Sequence, residues 1–143
     1  MTLSIILAAA ALPQSYVSGT CPIVENFTLV LFESGSAGLT TQARTLLDGW
    51  SQVILGQHFP ATVQLIGNAD RVGSRQANLR LSFRRVHAVR DYLIEHGVAG
   101  HRISIEATGE DRPLVDTADG VPEAQNRLVQ LLMLPDAREP RPC

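Results

Sequence analysis

Apolar and polar positions along this chain fall into four stretches of strand period and two of helical period. Phe27 to Phe32 (FTLVLF) is an apolar run of strand length, rich in β-forming residues and apolar in part on both faces. A Gly/Ser loop follows from Glu33 to Gly38. Thr40 or Thr41 then caps a helix whose apolar residues are Leu39, Ala43, Leu46, Leu47, Trp50, Val53 and Ile54, and Gly56 and Pro60 close it. A second strand runs from Thr62 to Gly67. A polar loop follows it, and Ser82 caps a second helix with a buried stripe of Val86, Val89 and Leu93 that ends at Gly97. Arg102 to Gly109 alternates, with Ile103, Ile105 and Ala107 on one face and Ser104, Glu106 and Thr108 on the other. Asn126 to Leu134 is the last strand. The order is β-α-β-α-β-β. One wet sheet face predicts an α+β sandwich, a four-stranded mixed sheet with the helices packed on one face.

A chain of 143 residues holds one ordinary domain, and 45% apolar residues supply a core. The patterned region spans residues 24–135. Residues 1–20 read as a signal peptide and short leader. Their largely apolar run, Leu3 to Leu12, is too short to span a bilayer, and the small residues Ala9, Ala10 and Ala11 resemble a cleavage site. Residues 136–143 form a Pro-rich tail. Export to the periplasm or cell envelope follows, with outer-membrane association open. Ser18-Gly19-Thr20 before Cys21 lacks the pattern of a lipid-attachment site.

All twelve basic residues are Arg, which excludes lysine bases, Schiff-base chemistry and a P-loop. The four histidines (His58, His87, His96 and His101) have no metal-ligand spacing, and no cofactor is implied. No serine sits in a nucleophile elbow, and GNADRVGS lacks the glycines of a phosphate loop. Six arginines lie between Arg71 and Arg90, but Asp70 and Asp91 interrupt them. With net charge −2 and few aromatics nearby, nucleic acid is not the expected partner. Asp70 lies just past the second strand and Arg85 in the expected first turn of the second helix. The pair brings a carboxylate and a guanidinium to one loop-built edge, where binding residues concentrate.

The segments Gly67-Asn68-Ala69-Asp70-Arg71-Val72-Gly73-Ser74, Asn78, Leu81 to Val86, Gly109 to Pro113 and Asn126-Arg127-Leu128-Val129, with FESGSAGL before them, resemble the OmpA-like C-terminal domain across residues 27–133. The family pattern is approximately G-H-T-D-x-x-G-S, N-x-x-L-S-x-x-R-A, G-x-G-E-x-x-P and N-R-R-V. The resemblance implies non-covalent binding of peptidoglycan, with Asp70 and Arg85 gripping the free end of the stem-peptide diaminopimelate. It makes Asn78, Asn68, Ala69 and Arg127 further contacts. The chemistry agrees: a zwitterion offers an ammonium to a carboxylate and a carboxylate to a bidentate Arg. The chain departs from the pattern at Asn68-Ala69, where the family has His-Thr, at Val86, and at Leu128, where it has Arg. These changes imply weaker or retuned binding.

In that fold the last strand runs antiparallel beside the first. Cys21 and Cys143 flank those strands, and an oxidising compartment then implies a Cys21–Cys143 disulfide, against free thiols or a lipidated Cys21. The resemblance makes the chain a tethering module rather than an enzyme, with other envelope proteins as candidate partners and no transmembrane segment. The alternatives are a structural or interaction module whose pocket no longer binds, and a cell-wall hydrolase, for which no catalytic carboxylate pair is visible.

Overall fold

The computed structural model describes residues 26–56 and 61–135. The leader, the tail, His58, Cys21 and Cys143 lie outside the described residues, and the expected disulfide with them. Six main elements follow in order: β1 (Asn26–Leu31), α1 (Thr41–Leu55), β2 (Ala61–Asn68), α2 (Arg75–Glu95), β3 (Ile103–Gly109) and β4 (Leu128–Pro135). The sheet order is β1-β4-β2-β3. β4 runs antiparallel to both β1 and β2, and β2 runs parallel to β3, so the sheet is mixed.

Thr40 caps α1 by accepting from the Ala43 amide at 3.0 Å, and Gly56 ends the helix. Ala43, Leu47 and Ile54 are buried, with Trp50 packed at the margin of the core. From α2, Val86, Val89 and Leu93 meet Val30, Val63, Leu65, Val129, Leu131 and Met133 of the sheet. Each such side chain contributes about 1.5–3 kcal/mol relative to exposure. Phe27 and Leu31, on the alternate positions of β1, stay exposed.

Two expectations are corrected. First, α2 does not begin after Ser82. Its cap is Ser74, which accepts from the Ala77 amide at 3.1 Å, and Arg85 therefore lies mid-helix. The first turns carry Arg, Gln, Asn and Leu, good or neutral helix formers without an apolar period, because that end packs through polar groups. Ser82 is buried there. Its hydroxyl accepts from the Gly109 amide at 2.9 Å and donates to the Leu79 carbonyl at 2.8 Å. Second, Thr108 is buried rather than on the wet face. Gly67 pairs with Ala107 but Asn68 pairs with Gly109, and the extra residue turns Thr108 inward. Its hydroxyl bonds to the Gly67 carbonyl at 3.1 Å and the Asn68 amide oxygen at 3.2 Å.

Gly67 sets how closely α2 approaches. A Cβ on Gly67 would lie 2.4 Å from the Ser82 carbonyl oxygen, so only glycine lets helix and strand meet there. That contact brings the middle of α2, and Arg85 with it, over the C-terminal end of β2.

Candidate functional site

The six expected site residues gather at one edge of the sheet, where β2 ends, α2 passes and β4 begins. Asn68, Ala69, Asp70, Asn78 and Arg85 are all buried. Arg127, just before β4, is the most accessible, with a side chain 17% exposed.

Asp70 does not pair directly with Arg85. Its Oδ2 lies 3.2 Å from Arg127 Nη1 and accepts from the Glu123 amide at 3.3 Å, while Oδ1 accepts from the Val72 amide at 3.4 Å. Arg127 is itself held, since its Nε donates to the Phe32 carbonyl at 3.2 Å. The carboxylate thus joins the loop after β2, the loop before β4 and the end of β1.

Arg85 is fully buried, and its partners are carbonyls. Nε donates to Ser36 at 2.9 Å, Nη1 to Asn68 at 3.0 Å and Nη2 to Glu33 at 3.1 Å. The guanidinium carbon sits 5.3 Å from the centre of the Phe32 ring. Burial lowers the Arg85 pKa to about 10, which leaves the group charged at neutral pH. The nearby Asp70 opposes that shift, and Arg127 and Arg84 add to it. A cation removed from water without a carboxylate against it is costly unless other dipoles replace the solvent. Three carbonyls and the field of Asp70 do so here.

The remaining expected residues hold the frame. The Asn68 side-chain amide donates to the Arg112 carbonyl at 2.8 Å, the Ala69 amide to the Gly109 carbonyl at 2.8 Å, and Asn78 Nδ2 to Glu110 at 3.4 Å. Other members carry little sequence signal because they act through the backbone. The carbonyls of Glu33 and Ser36 and the amide of Glu123 belong to this group. Asn126 is a side chain whose role the sequence does not announce. It accepts from the Val115 amide at 2.9 Å and donates to the Val115 carbonyl at 2.8 Å, pinning the loop before β4. With Asn126 held in the turn Ala124–Asn126, β4 starts at Leu128 rather than at Asn126. Arg71 fastens the same loop through the Thr117 carbonyl at 3.0 Å and Asp119 at 3.5 Å.

Among the described residues no cluster of His, Cys, Asp or Glu is placed to hold a metal ion. No described helix is long and apolar enough to cross a membrane.

The family model described as the OmpA family matches residues 31–127. The chain belongs to the OmpA family. Over 120 residues it is 33% identical to the peptidoglycan-associated lipoprotein of Mesorhizobium japonicum, covering 84% of this chain and 69% of that protein. It is 34% identical over 107 residues to the probable lipoprotein YiaD of Escherichia coli, covering 74% of this chain and 48% of that one. Among solved structures, the peptidoglycan-associated lipoprotein of Burkholderia pseudomallei superposes with a TM-score of 0.67 at 28% identity, over 73% of this chain and 88% of the other. This OmpA-family domain thus shares the α+β fold of those relatives.

Proposed function

We propose that this OmpA-family chain binds peptidoglycan without a covalent bond, recognises the free end of a diaminopimelate stem peptide, and so tethers itself or a partner to the cell wall within the envelope. Relatives named peptidoglycan-associated lipoproteins support the wall as ligand. The observation that carries the finer reading is the pair of opposite charges at one edge: Asp70 shared with Arg127, and Arg85 charged with carbonyls as its hydrogen-bond partners among the described residues.

A diaminopimelate end presents an ammonium and a carboxylate on one carbon. Asp70 is the acceptor for the ammonium. A carboxylate has about four lone-pair directions, so three long hydrogen bonds do not exhaust it. Arg85 is the donor for the carboxylate, and charge assistance strengthens that bond. Because Arg85 is fully covered, the ligand carboxylate takes over from the Glu33 and Ser36 carbonyls, and the Glu33–Gly38 loop moves aside. Arg127 stands between both groups and the solvent as a further contact. Asn68 and Ala69, in place of the family's His-Thr, offer this ligand fewer donors, which favours modest affinity.

Co-sedimentation of the purified chain with isolated sacculi tests the reading. Diaminopimelate-type sacculi retain the chain, and sacculi cross-linked through lysine, which lack the second carboxylate, retain much less. Equal retention on the two would contradict recognition of diaminopimelate. No retention on either would favour the structural module whose pocket does not bind.

A further inference from the structure

Helix α2 turns a second face away from both the core and the Asp70 edge. Leu79 and Phe83, one helical turn apart, are 47% and 52% exposed. Arg80 and Arg84 run beside them in the same spacing, and among the described residues neither guanidinium has an ion-pair or hydrogen-bond partner, whereas the neighbouring Arg75 lies 2.8 Å from Asp111. Together with Ala107 of β3 these four side chains line one apolar groove. The His87 ring lies 4.3 Å from that of Phe83, and among the described residues its buried Nε2 has no hydrogen-bond partner. β3 is an edge strand, and among the described residues no strand pairs with its outer side.

These features combine into one kind of receptor. An open strand edge offers backbone N–H and C=O groups to another extended chain, and an adjoining apolar groove gives that chain's alternate side chains a place to pack. Two uncompensated guanidiniums select carboxylates. We propose that the groove between α2 and the outer edge of β3 takes an extended acidic segment of another protein, which adds as a strand beside β3, packs apolar side chains on Leu79 and Phe83, and sets carboxylates against Arg80 and Arg84. A helical partner would leave the edge of β3 unbonded. The same face of a second copy would oppose two guanidiniums with two more. The inference is independent of the peptidoglycan site.

The test uses the 15N-labelled chain and a soluble peptide of about eight residues alternating valine and glutamate, the length of an ordinary strand. The expected result is a saturable shift of the amides of Ile103–Ala107 and Leu79–Arg84 that leaves the amides around Asp70 unmoved. The double variant R80E/R84E weakens the interaction roughly tenfold or more. F83S also weakens it, and the exposure of Phe83 makes that variant safe for the fold. A lysine-for-glutamate peptide that shifts the same amides equally would overturn the charge argument. Shifts centred on Asp70 would assign the peptide to the other site and overturn the proposal. Phosphatidylglycerol vesicles that perturb this face while the peptide does not would replace a protein partner with a lipid surface.

Discussion

Arg127, not Arg85, is the direct partner of Asp70, at 3.2 Å. The two arginines divide the work. Arg127 ties the carboxylate to the end of β1 through the Phe32 carbonyl, and Arg85 gathers three carbonyls behind it. The site is therefore a charge-bearing knot between loops as well as a candidate ligand grip, and variants at its two charges differ in what they cost.

Asp70→Asn keeps the shape and removes the charge. It weakens binding to a diaminopimelate stem peptide by about 2–4 kcal/mol, because both arginines lose their counter-charge and the ligand ammonium loses its acceptor. Stability falls less, by about 1–2 kcal/mol, since the amide oxygen still accepts where Oδ2 meets the Glu123 amide and Arg127, while the NH2 group cannot replace Oδ1 as acceptor for the Val72 amide. Paired chemical denaturation and binding titrations separate the two effects.

Arg85→Ala leaves the buried Asn68 carbonyl and the part-buried Glu33 and Ser36 carbonyls without their donor and opens a cavity beside Phe32, so it lowers stability by about 3 kcal/mol as well as abolishing binding. Arg85→Lys keeps the charge but cannot span Ser36, Asn68 and Glu33 at once. It should fold, with a lower denaturation midpoint, and bind poorly. An Arg85→Lys variant that bound as the parent does would remove the bidentate argument. Arg75→Ala, at an exposed pair with Asp111, serves as the control and changes both readouts by at most about 0.5 kcal/mol.

Gly67→Ala tests how α2 is seated. The added Cβ meets the Ser82 carbonyl at 2.4 Å, so helix and strand must separate. A loss of about 1–3 kcal/mol in stability follows. Binding weakens in parallel, because Arg85 rides on the same helix. Thermal unfolding at matched pH measures the first effect.

The pH dependence has a defined sign. Arg85 is a base whose folded pKa is lowered to about 10, so its charge is present below that value and lost as pH rises through it. No described histidine bonds to Asp70, Arg85 or Arg127. Affinity is therefore flat from about pH 6 to 8, where histidine would titrate, and falls toward pH 10. Stability responds in the opposite sense: between about 10 and the ordinary guanidinium range the folded state binds fewer protons, and the cost of burying Arg85 is relieved as pH rises. A binding midpoint near pH 6.5 would point to a titrating group outside this set.

The element order and most of the core were legible because periodicity is written in side chains. The stripe Val86, Val89 and Leu93 and the alternation through Ile103 and Ile105 read directly. The start of α2 was not legible, because its first turns pack through Asn78, Ser82 and Arg85 and carry no apolar period. The inward turn of Thr108 was hidden for another reason: a single extra residue in β3 reverses the faces, and composition does not mark it. At the site, the strand–helix order brings Asp70 and Arg85 to one edge and the family resemblance adds Arg127, but neither says who pairs with whom. That is decided by backbone carbonyls at Glu33 and Ser36, which any residue supplies.

The most direct measurement is calorimetric titration of the folded chain with the stem tripeptide ending in meso-diaminopimelate, set against the same tripeptide ending in lysine. Recognition of both ends of the zwitterion predicts saturable binding of the first, at least about tenfold weaker binding of the second, and loss of the difference in Asp70→Asn and Arg85→Lys. Equal affinities for the two tripeptides, or unchanged discrimination in the variants, would contradict the assignment of Asp70 and Arg85 as the grip.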